Sequence, residues 1–145
     1  MTRTLVTALA LLGLTAGPEA QSAQYRARLS VVPIDIPMQS SIAGSGAMTA
    51  TLKGTTLTIT GTFTGLKTPA TVARVHRGPK TVIRGPAIGD LTVTAATSGS
   101  VTGSIELTNE QIDDLAAGRL YIQVHSQKAP DGNLWGWLLA AEPKK

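Results

Sequence analysis

The sequence contains two histidines and no cysteine, so few of its residues can bind a metal or move a proton near neutral pH. His76 and His125 each end a short stretch of alternating residues, on the side opposite Val75 and Val124. If the two strands pair, both imidazoles share one face of the sheet and could bind copper or zinc. Such sites usually have three or four ligands. That favours the alternative, in which both histidines make structural hydrogen bonds to loop backbones, for example around Gly78.

The sequence shows no set of residues arranged for catalysis. Ser126 follows His125 directly, and adjacent strand residues point to opposite faces, so they cannot form a nucleophile–base pair. The nearest acids lie on or beside a predicted short helix, where they favour its N-terminal dipole or face solvent. These acids are Glu106, Glu110, Asp113 and Asp114. No glycine-rich loop follows a strand and opens a helix, so nothing indicates a nucleotide site. We therefore predict a protein that is not an enzyme and has no cofactor.

Length and composition limit the possible fold classes. The chain has 145 residues, which suits one domain, with 42% hydrophobic, 15% charged and 3% aromatic residues. So little charge, with abundant Thr and Val, argues against a helical bundle. The modest net charge of +4 and the ordinary apolar content argue against disorder. A small all-β domain remains.

Residues 1–17 are typical of a secretory signal peptide. A single cation, Arg3, precedes an uncharged apolar run that is too short to span a bilayer. The alternative is a buried N-terminal helix, which Gly13, Gly17 and Pro18 would break. Cleavage could fall as late as residue 23. We expect an exported protein, periplasmic or secreted, with one domain over 24–141, a tail over 142–145 and no transmembrane helix.

Strands separated by Gly and Pro clusters account for most of the remaining sequence, which indicates a sandwich or barrel. The expected strands are 25–32, 48–53, 57–64, 73–76, 91–95, 101–107, 120–125 and 134–139. Stretches such as 85–89 and 130–132 are expected to be turns. One short helix is predicted over 109–117, because Thr108 and Gln111 form a capping box and Gly118 supplies the stop.

The order of these segments resembles the CHRD domain, which occurs in chordin and alone in exported bacterial proteins. The resemblance covers about two thirds of the chain. It is carried by LTITGTFTGLKTPAT (57–71), ARVHRGP (73–79), Gly85-Pro86, LTNEQ (107–111), LAAG (115–118), LYIQVHS (120–126) and PDGNLWGWL (130–138). It implies an immunoglobulin-like or superoxide-dismutase-like antiparallel β-sandwich and brings no catalytic residues.

Two segments depart from the family pattern. The family often has His-x-His before Gly-Pro, but Arg74 stands at the first of these positions, where a third metal ligand could have been. The family's final segment usually reads Gly-Glu-Ile-Arg-Gly-Gln-Leu, whereas residues 132–138 here read GNLWGWL. Any role that needs the lost His, Glu or Arg is in doubt.

The last strand is the most informative feature. Its alternation places Leu134, Gly136 and Leu138 on the core side and leaves Trp135 and Trp137 on the outer face. Asn133 and Leu139 share that outer face. Each tryptophan can bury on the order of 200 Å², and paired exposed tryptophans often mark interaction sites. The alternative is that the 24–37 segment or the C-terminal tail covers them.

The second candidate feature is a basic stretch over 74–84. It contains Arg74, Arg77, Lys80 and Arg84, and no acid lies between Asp35 and Asp90. Such a patch could hold an anion, an acidic partner or membrane headgroups. Nucleic acid is excluded as a partner because the protein is expected outside the cytoplasm and the stretch lacks stacking aromatics. A solvated loop that is basic by chance is the alternative.

Together these features predict a non-enzymatic exported module that docks to a protein partner in the cell envelope. The tryptophan strand would be the apolar anchor and the basic stretch over 74–84 the electrostatic guide. The partner could be a larger oxidoreductase, such as a dehydrogenase, with this chain as a small accessory subunit. Two alternatives stay open. One is a copper- or zinc-binding protein that uses His76 and His125, and the other is a surface module that binds acidic glycans through the basic stretch over 74–84.

Overall fold

The computed structural model describes residues 21–142. The predicted signal peptide over 1–17 and residues 143–145 of the predicted tail lie outside the described residues. The described residues form nine strands and one α-helix, which confirms the all-β class with one short helix. The strands are β1 (Ser22–Val31), β2 (Ser45–Lys53), β3 (Thr56–Thr64), β4 (Ala70–Arg77), β5 (Ala87–Val93), β6 (Gly99–Glu106), β7 (Leu120–Ser126), β8 (Ala129–Trp137) and β9 (Leu139–Ala140).

All neighbouring strands pair antiparallel, and eight of them close into a barrel-like sheet. The order is β1-β2-β3-β6-β5-β4-β7-β8, and β8 pairs again with β1, while β9 adds a short edge next to β1. The longest ladders fall into two groups, β1–β2–β3–β6 and β5–β4–β7–β8. Two pairings of only two residues each, β5–β6 and β1–β8, join the groups. A sandwich of separate sheets, immunoglobulin-like or superoxide-dismutase-like, is therefore not confirmed.

The core lies inside this closed sheet and follows the expected alternation. In β3, Leu57, Ile59 and Phe63 are buried, and the threonines between them face solvent. Gly61 occupies the inward position between Ile59 and Phe63. A Cβ there would approach within 2.4 Å of the Met48 sulfur, so the glycine makes room for the methionine. Thr-rich exteriors and aliphatic interiors therefore fix the register of the β2–β3 hairpin.

Helix α1 (Asn109–Ala116) follows β6 and forms as predicted. The Thr108 hydroxyl accepts a hydrogen bond from the Gln111 N–H at 3.2 Å, and the Gln111 side-chain oxygen accepts one from the Thr108 N–H at 3.0 Å. Gly118 ends the helix with φ +71°. Leu115 is fully buried, so the helix packs its apolar side on the core. No helix within residues 21–142 is long and apolar enough to cross a membrane.

Two expected turns were wrong. Residues 130–132 lie inside β8, and the hairpin instead turns at Gln127 and Lys128. Strand β5 begins at Ala87, within the stretch 85–89 that was expected to be a turn. At β5, strand β4 supplies partners for the backbone and so overrides the local Pro and Gly signals. At β8, the pairing of Ser126 with Ala129 makes the chain reverse earlier, and the Gln123 and His125 side chains of β7 bond to the carbonyls of residues 131 and 130.

Candidate functional site

Four of the residues that the sequence singled out lie together on the outer face of β4, β7 and β8: His76, His125, Trp135 and Trp137. Register places His76 opposite Tyr121 and Tyr121 opposite Trp137, in one row across the three strands. The neighbouring row contains Arg74, Gln123 and Trp135. We call His76, Tyr121, His125, Trp135 and Trp137 the outer aromatic cluster.

The rings of this cluster are in direct contact. Tyr121 stacks on His76, with centroids 4.9 Å apart and planes at 17°, and lies 4.4 Å from Trp137. The two indoles meet edge to face at 5.8 Å. Tyr121 is only 1% exposed although it points away from the core. Tyr121 was not among the predicted site residues. Its place in the alternation, two residues before Gln123, was the available signal.

The segment 78–86, which we call the basic loop, covers this cluster. Tyr121 donates its hydroxyl hydrogen to the Gly85 carbonyl at 3.2 Å and accepts a hydrogen bond from the Gly85 N–H at 3.0 Å. The Gly78 N–H donates to the Arg119 carbonyl at 2.9 Å. The Arg84 guanidinium lies 5.6 Å from the centre of the Trp135 ring, within cation–π range. The loop is thus held at both ends against the aromatic face.

Both histidines lie on this outer face, as predicted, with ring centroids 6.3 Å apart. The Nδ1 atom of His76 is 2.9 Å from the Gly85 carbonyl, and that of His125 is 2.8 Å from the Pro130 carbonyl. A carbonyl only accepts, so each Nδ1 carries the hydrogen, and in the neutral ring Nε2 is left with a lone pair. Both Nε2 atoms are buried without a hydrogen-bond partner. The expected backbone hydrogen bonds are confirmed, at Gly85 and Pro130 rather than near Gly78.

The surroundings of His76 favour its neutral form. Burial lowers the pKa of His76 below its ordinary value of 6.5, and the nearby charges of His125, Arg74 and Arg84 lower it further. The hydrogen bond to the Gly85 carbonyl acts in the opposite direction but is the smaller effect. Among residues 21–142, no group of three or more His, Cys, Asp or Glu side chains could hold a metal ion.

The tryptophans face outward but are each half-buried. Besides the basic loop and Tyr121, Trp135 packs against a small apolar cluster formed by Val32, Ile42 and Ala129. Residues after β1 therefore cover part of one ring, as the alternative interpretation held. The indole nitrogen of Trp137 is buried without an acceptor.

Asn133 was wrongly expected to face a partner. It is fully buried, its amide nitrogen donates to the Ala43 carbonyl at 2.7 Å, and its side-chain oxygen accepts from the Ser126 hydroxyl at 3.0 Å. The segment that precedes β2 passes over Asn133, and the hydrogen bond from the Asn133 amide holds it there. Leu139, by contrast, is 53% exposed, in line with its predicted place on the surface.

Two of the four predicted basic residues are paired with acids. Arg74 lies 2.9 Å from Asp90, and Arg77 pairs with Glu110 and Asp114. The hydrogen bond with Glu110 is the main reason that the pKa of Arg77 is raised. Lys80 and Arg84 form no salt bridge with any described residue. The positive patch is therefore smaller than the sequence indicated, which weakens the case for acidic glycans.

Asp114 corrects a further expectation. It was expected to favour the helix dipole or face solvent, but its side chain is fully buried and pairs with both Arg77 and Arg119. A buried carboxylate needs such partners because desolvation would otherwise neutralise it. No sequence signal separates Asp114 from Asp113, since only the packing of the helix decides which of them points inward.

Exposed apolar side chains lie on the loop that passes next to the half-buried indole of Trp137. Val82 is 62% exposed and Ile83 is 43% exposed, both on the basic loop. A Cβ added to Gly78 would meet the Ile83 carbonyl and the Trp137 ring, and one on Gly118 would meet Leu139 and Thr81 at 3.1 and 3.5 Å. The loop and Leu139 are therefore neighbours. We call Lys80, Val82, Ile83, Arg84, Trp137 and Leu139 the docking surface.

A closed antiparallel sheet with an outer aromatic face beneath a short loop defines a small all-β domain. The chain belongs to the CHRD domain family, whose model matches residues 25–138. No curated protein and no solved structure shows a significant match to the chain.

Proposed function

We propose that this chain is an exported, non-enzymatic module that docks to an acidic protein surface in the cell envelope. The observation that carries the proposal is the docking surface, where three exposed apolar side chains adjoin a half-buried tryptophan and two cations. Full burial of Val82, Ile83 and Leu139 against a partner would contribute about 1 kcal/mol each, because each is already about half covered and so gains only about half of the value for a fully exposed side chain. Tryptophan and arginine at the centre of such a patch are typical of binding hot spots.

Charge supports an acidic partner. Lys80 and Arg84 flank the apolar tip and form no salt bridge with the described acids, so their charge is available to steer association. Next to the loop lies a cleft of about 290 Å³, lined by Arg77, Gly78, Pro79, Pro86 and Arg119. Its two arginines face one buried carboxylate, Asp114, and could also receive an acidic side chain from outside.

The conformation of Val82 also supports a role in binding. Its φ of 62° lies in the left-handed region, which is unfavourable for a β-branched residue. The side chain is 62% exposed, so burial within the described chain does little to offset this strain. Strained and exposed residues of this kind occur at binding sites. A bound partner would supply the missing contacts.

The first experiment captures the partner and then tests the docking surface directly. The mature chain is immobilised, an envelope extract of the native cell is passed over it, and the retained protein is identified by mass spectrometry. The retained protein is then purified and titrated with the chain by calorimetry. We expect one partner per chain, affinity that falls with salt, and a negative heat-capacity change from apolar burial.

Matched variants make this titration decisive. Ile83→Asp should weaken binding by at least about tenfold, because it removes apolar area and repels an acidic partner. Ile36→Asp changes another exposed isoleucine, 82% exposed and outside the docking surface, and should leave binding unchanged. Equal affinity of wild type and Ile83→Asp would overturn the proposal, and so would binding to anionic lipid vesicles in place of a protein. The identity of the retained protein decides whether the partner is an oxidoreductase.

A further inference from the structure

The two histidines lie close together on the outer face, with ring centroids 6.3 Å apart, and the proposed docking does not use them. Each ring is fixed by an Nδ1–H hydrogen bond to a backbone carbonyl, at Gly85 for His76 and at Pro130 for His125. Metal-binding histidines are commonly oriented in this way, because the bond selects the tautomer and leaves the Nε2 lone pair for the ion. In this protein both Nε2 atoms are buried and have no hydrogen-bond partner. Burying a hydrogen-bond acceptor without a partner costs desolvation free energy. Two such nitrogens on one face therefore favour a bound ligand that pairs with both.

We propose that His76 and His125 bind one Cu(I) ion between their Nε2 atoms. With both Nε2 atoms pointing toward the metal along the line between the rings, metal–nitrogen bonds of about 2.0 Å and roughly 1.1 Å from nitrogen to ring centre place the centroids roughly 6 Å apart. The ring centroids are 6.3 Å apart, a spacing that allows this arrangement. The stacked Tyr121 ring holds His76 in place, and the basic loop shields the site from water.

A site with only two imidazole nitrogens as donors favours Cu(I) over divalent copper or zinc. Zinc and divalent copper need a third and a fourth ligand, and residues 21–142 offer no group of three suitable side chains. Cu(I) is stable with two imidazole nitrogens in a line. Arg74 and Arg84 stand near His76 and repel a divalent ion more than a monovalent one. Asp90 and the Trp135 ring partly offset these two charges.

The test is a competition for Cu(I) under anaerobic conditions. The purified mature chain is titrated with Cu(I) in the presence of a chromogenic Cu(I) chelator, and the same titration is repeated with Zn(II). We expect one tightly held Cu(I) per chain, an X-ray absorption spectrum with two nitrogen neighbours, and Zn(II) binding that is much weaker. In ¹⁵N NMR spectra, Cu(I) should shift the Nε2 signals of both histidines in the unmodified chain.

Variants test the ligands themselves. The sequence holds only two histidines, so no other imidazole can substitute. His76→Phe keeps a ring against Tyr121, and His125→Gln keeps a polar side chain. Each should lose more affinity than the roughly 10–100-fold that loss of an outer-shell group costs. Met38→Leu, which removes a soft sulfur donor, should bind Cu(I) like the wild type. Retention of Cu(I) by the double histidine variant would overturn the assignment. So would Nε2 signals unmoved by Cu(I) in the folded wild type, as expected if only a water bridges the rings.

Discussion

Glu106 shows how hydroxyl groups set the charge of a single carboxyl group. It lies at the end of β6, where the Thr56 hydroxyl donates to one carboxylate oxygen at 2.5 Å and the Thr55 hydroxyl donates to the other at 2.7 Å. These bonds, Thr56 first, lower the pKa of Glu106 below its ordinary value of 4.5. The carboxylate thereby ties the β2–β3 turn to the end of β6.

The lowered pKa predicts acid sensitivity. The unfolded chain takes up the proton at the ordinary pKa, so the stabilisation from Glu106 is complete above that value and is lost as pH falls through the lower pKa of the folded state. Urea unfolding between pH 7 and pH 3 measures this loss. Thr56→Val should make the decline below pH 4.5 shallower. Thr58→Val, which removes a hydroxyl bonded to Ser104, serves as the control. Parallel pH profiles for Thr56→Val and wild type would contradict the prediction.

The sequence identified several of the residues that matter but not the side chains and backbone groups that they contact. It placed both histidines on one outer face because period-2 alternation is local. It expected Glu106 to favour the helix dipole or face solvent and did not predict its bonds to Thr55 and Thr56, which reach it only through the register of β3 against β6. It put Asn133 on the surface for a related reason, because the segment that covers this amide comes from ninety residues earlier in the chain.

At the scale of elements, helix α1 is joined to the sheet by charge as well as by Leu115. The buried Asp114 pairs with Arg77 at the end of β4 and with Arg119 just before β7. The Arg119 N–H also donates to the Asp114 carbonyl at 2.8 Å. This one residue therefore fixes where the helix sits and where two central strands meet it.

Removal of the Asp114 carboxylate should uncouple the helix. Asp114→Ala leaves Arg77 and Arg119 without their buried partner, which is expected to cost about 3 kcal/mol of unfolding free energy, because both arginines are about one-third exposed and regain some hydration. Asp113→Ala alters the exposed neighbour and should change stability by less than about 0.5 kcal/mol. Chemical denaturation measures both. Similar losses for the two variants would show that the buried ion pair does not hold the helix.

Short sequence motifs predicted an element correctly where the hydrogen bonds that define the element lie within a few residues of one another. The capping box of Thr108 and Gln111 placed α1 to within one residue, because its hydrogen bonds lie within one turn. The turn between β7 and β8 was wrongly predicted at Pro130 and Gly132. The pairing of Ser126 with Ala129 decides where the chain reverses. The start of β5 was missed for the same reason, since His76 supplies the partner for Ala87.

At the scale of the whole molecule, closure of the sheet depends on its two shortest pairings. The strand pattern indicated a sandwich or a barrel, and the family resemblance led us to expect the sandwich, which is not confirmed. The strand pattern could not decide, because the deciding hydrogen bonds join residues far apart in the chain. The β1–β8 pairing joins Ser30 and Val31 to Trp135 and Leu134. The β5–β6 pairing joins Thr92 and Val93 to Thr102 and Val101. These few bonds make a barrel of what would otherwise be two facing sheets.

The β5–β6 pairing should be the first part of the sheet to open. It has two residue pairs and one further backbone hydrogen bond, from the Thr94 N–H to the Ser100 carbonyl, and Thr92 and Thr102 are exposed. Amide hydrogen exchange followed by NMR should therefore show faster exchange at Thr94 than at Ile122, which is fully buried in the long β4–β7 ladder. Exchange at equal rates in the two places would contradict this order of opening.

A disulfide across the same pairing tests what closure contributes. The chain has no cysteine, so the combined change Thr92→Cys and Thr102→Cys introduces a single bridge without competing thiols. When oxidised, this bridge should raise the unfolding free energy by about 2 kcal/mol and slow exchange at the Thr94 amide, which donates to the Ser100 carbonyl. Thr58→Cys with Ser104→Cys, inside the long β3–β6 ladder, is the matched control and should leave the exchange rate of Thr94 unchanged. If both bridges slow Thr94 alike, exchange there follows global unfolding, and the barrel opens as one unit.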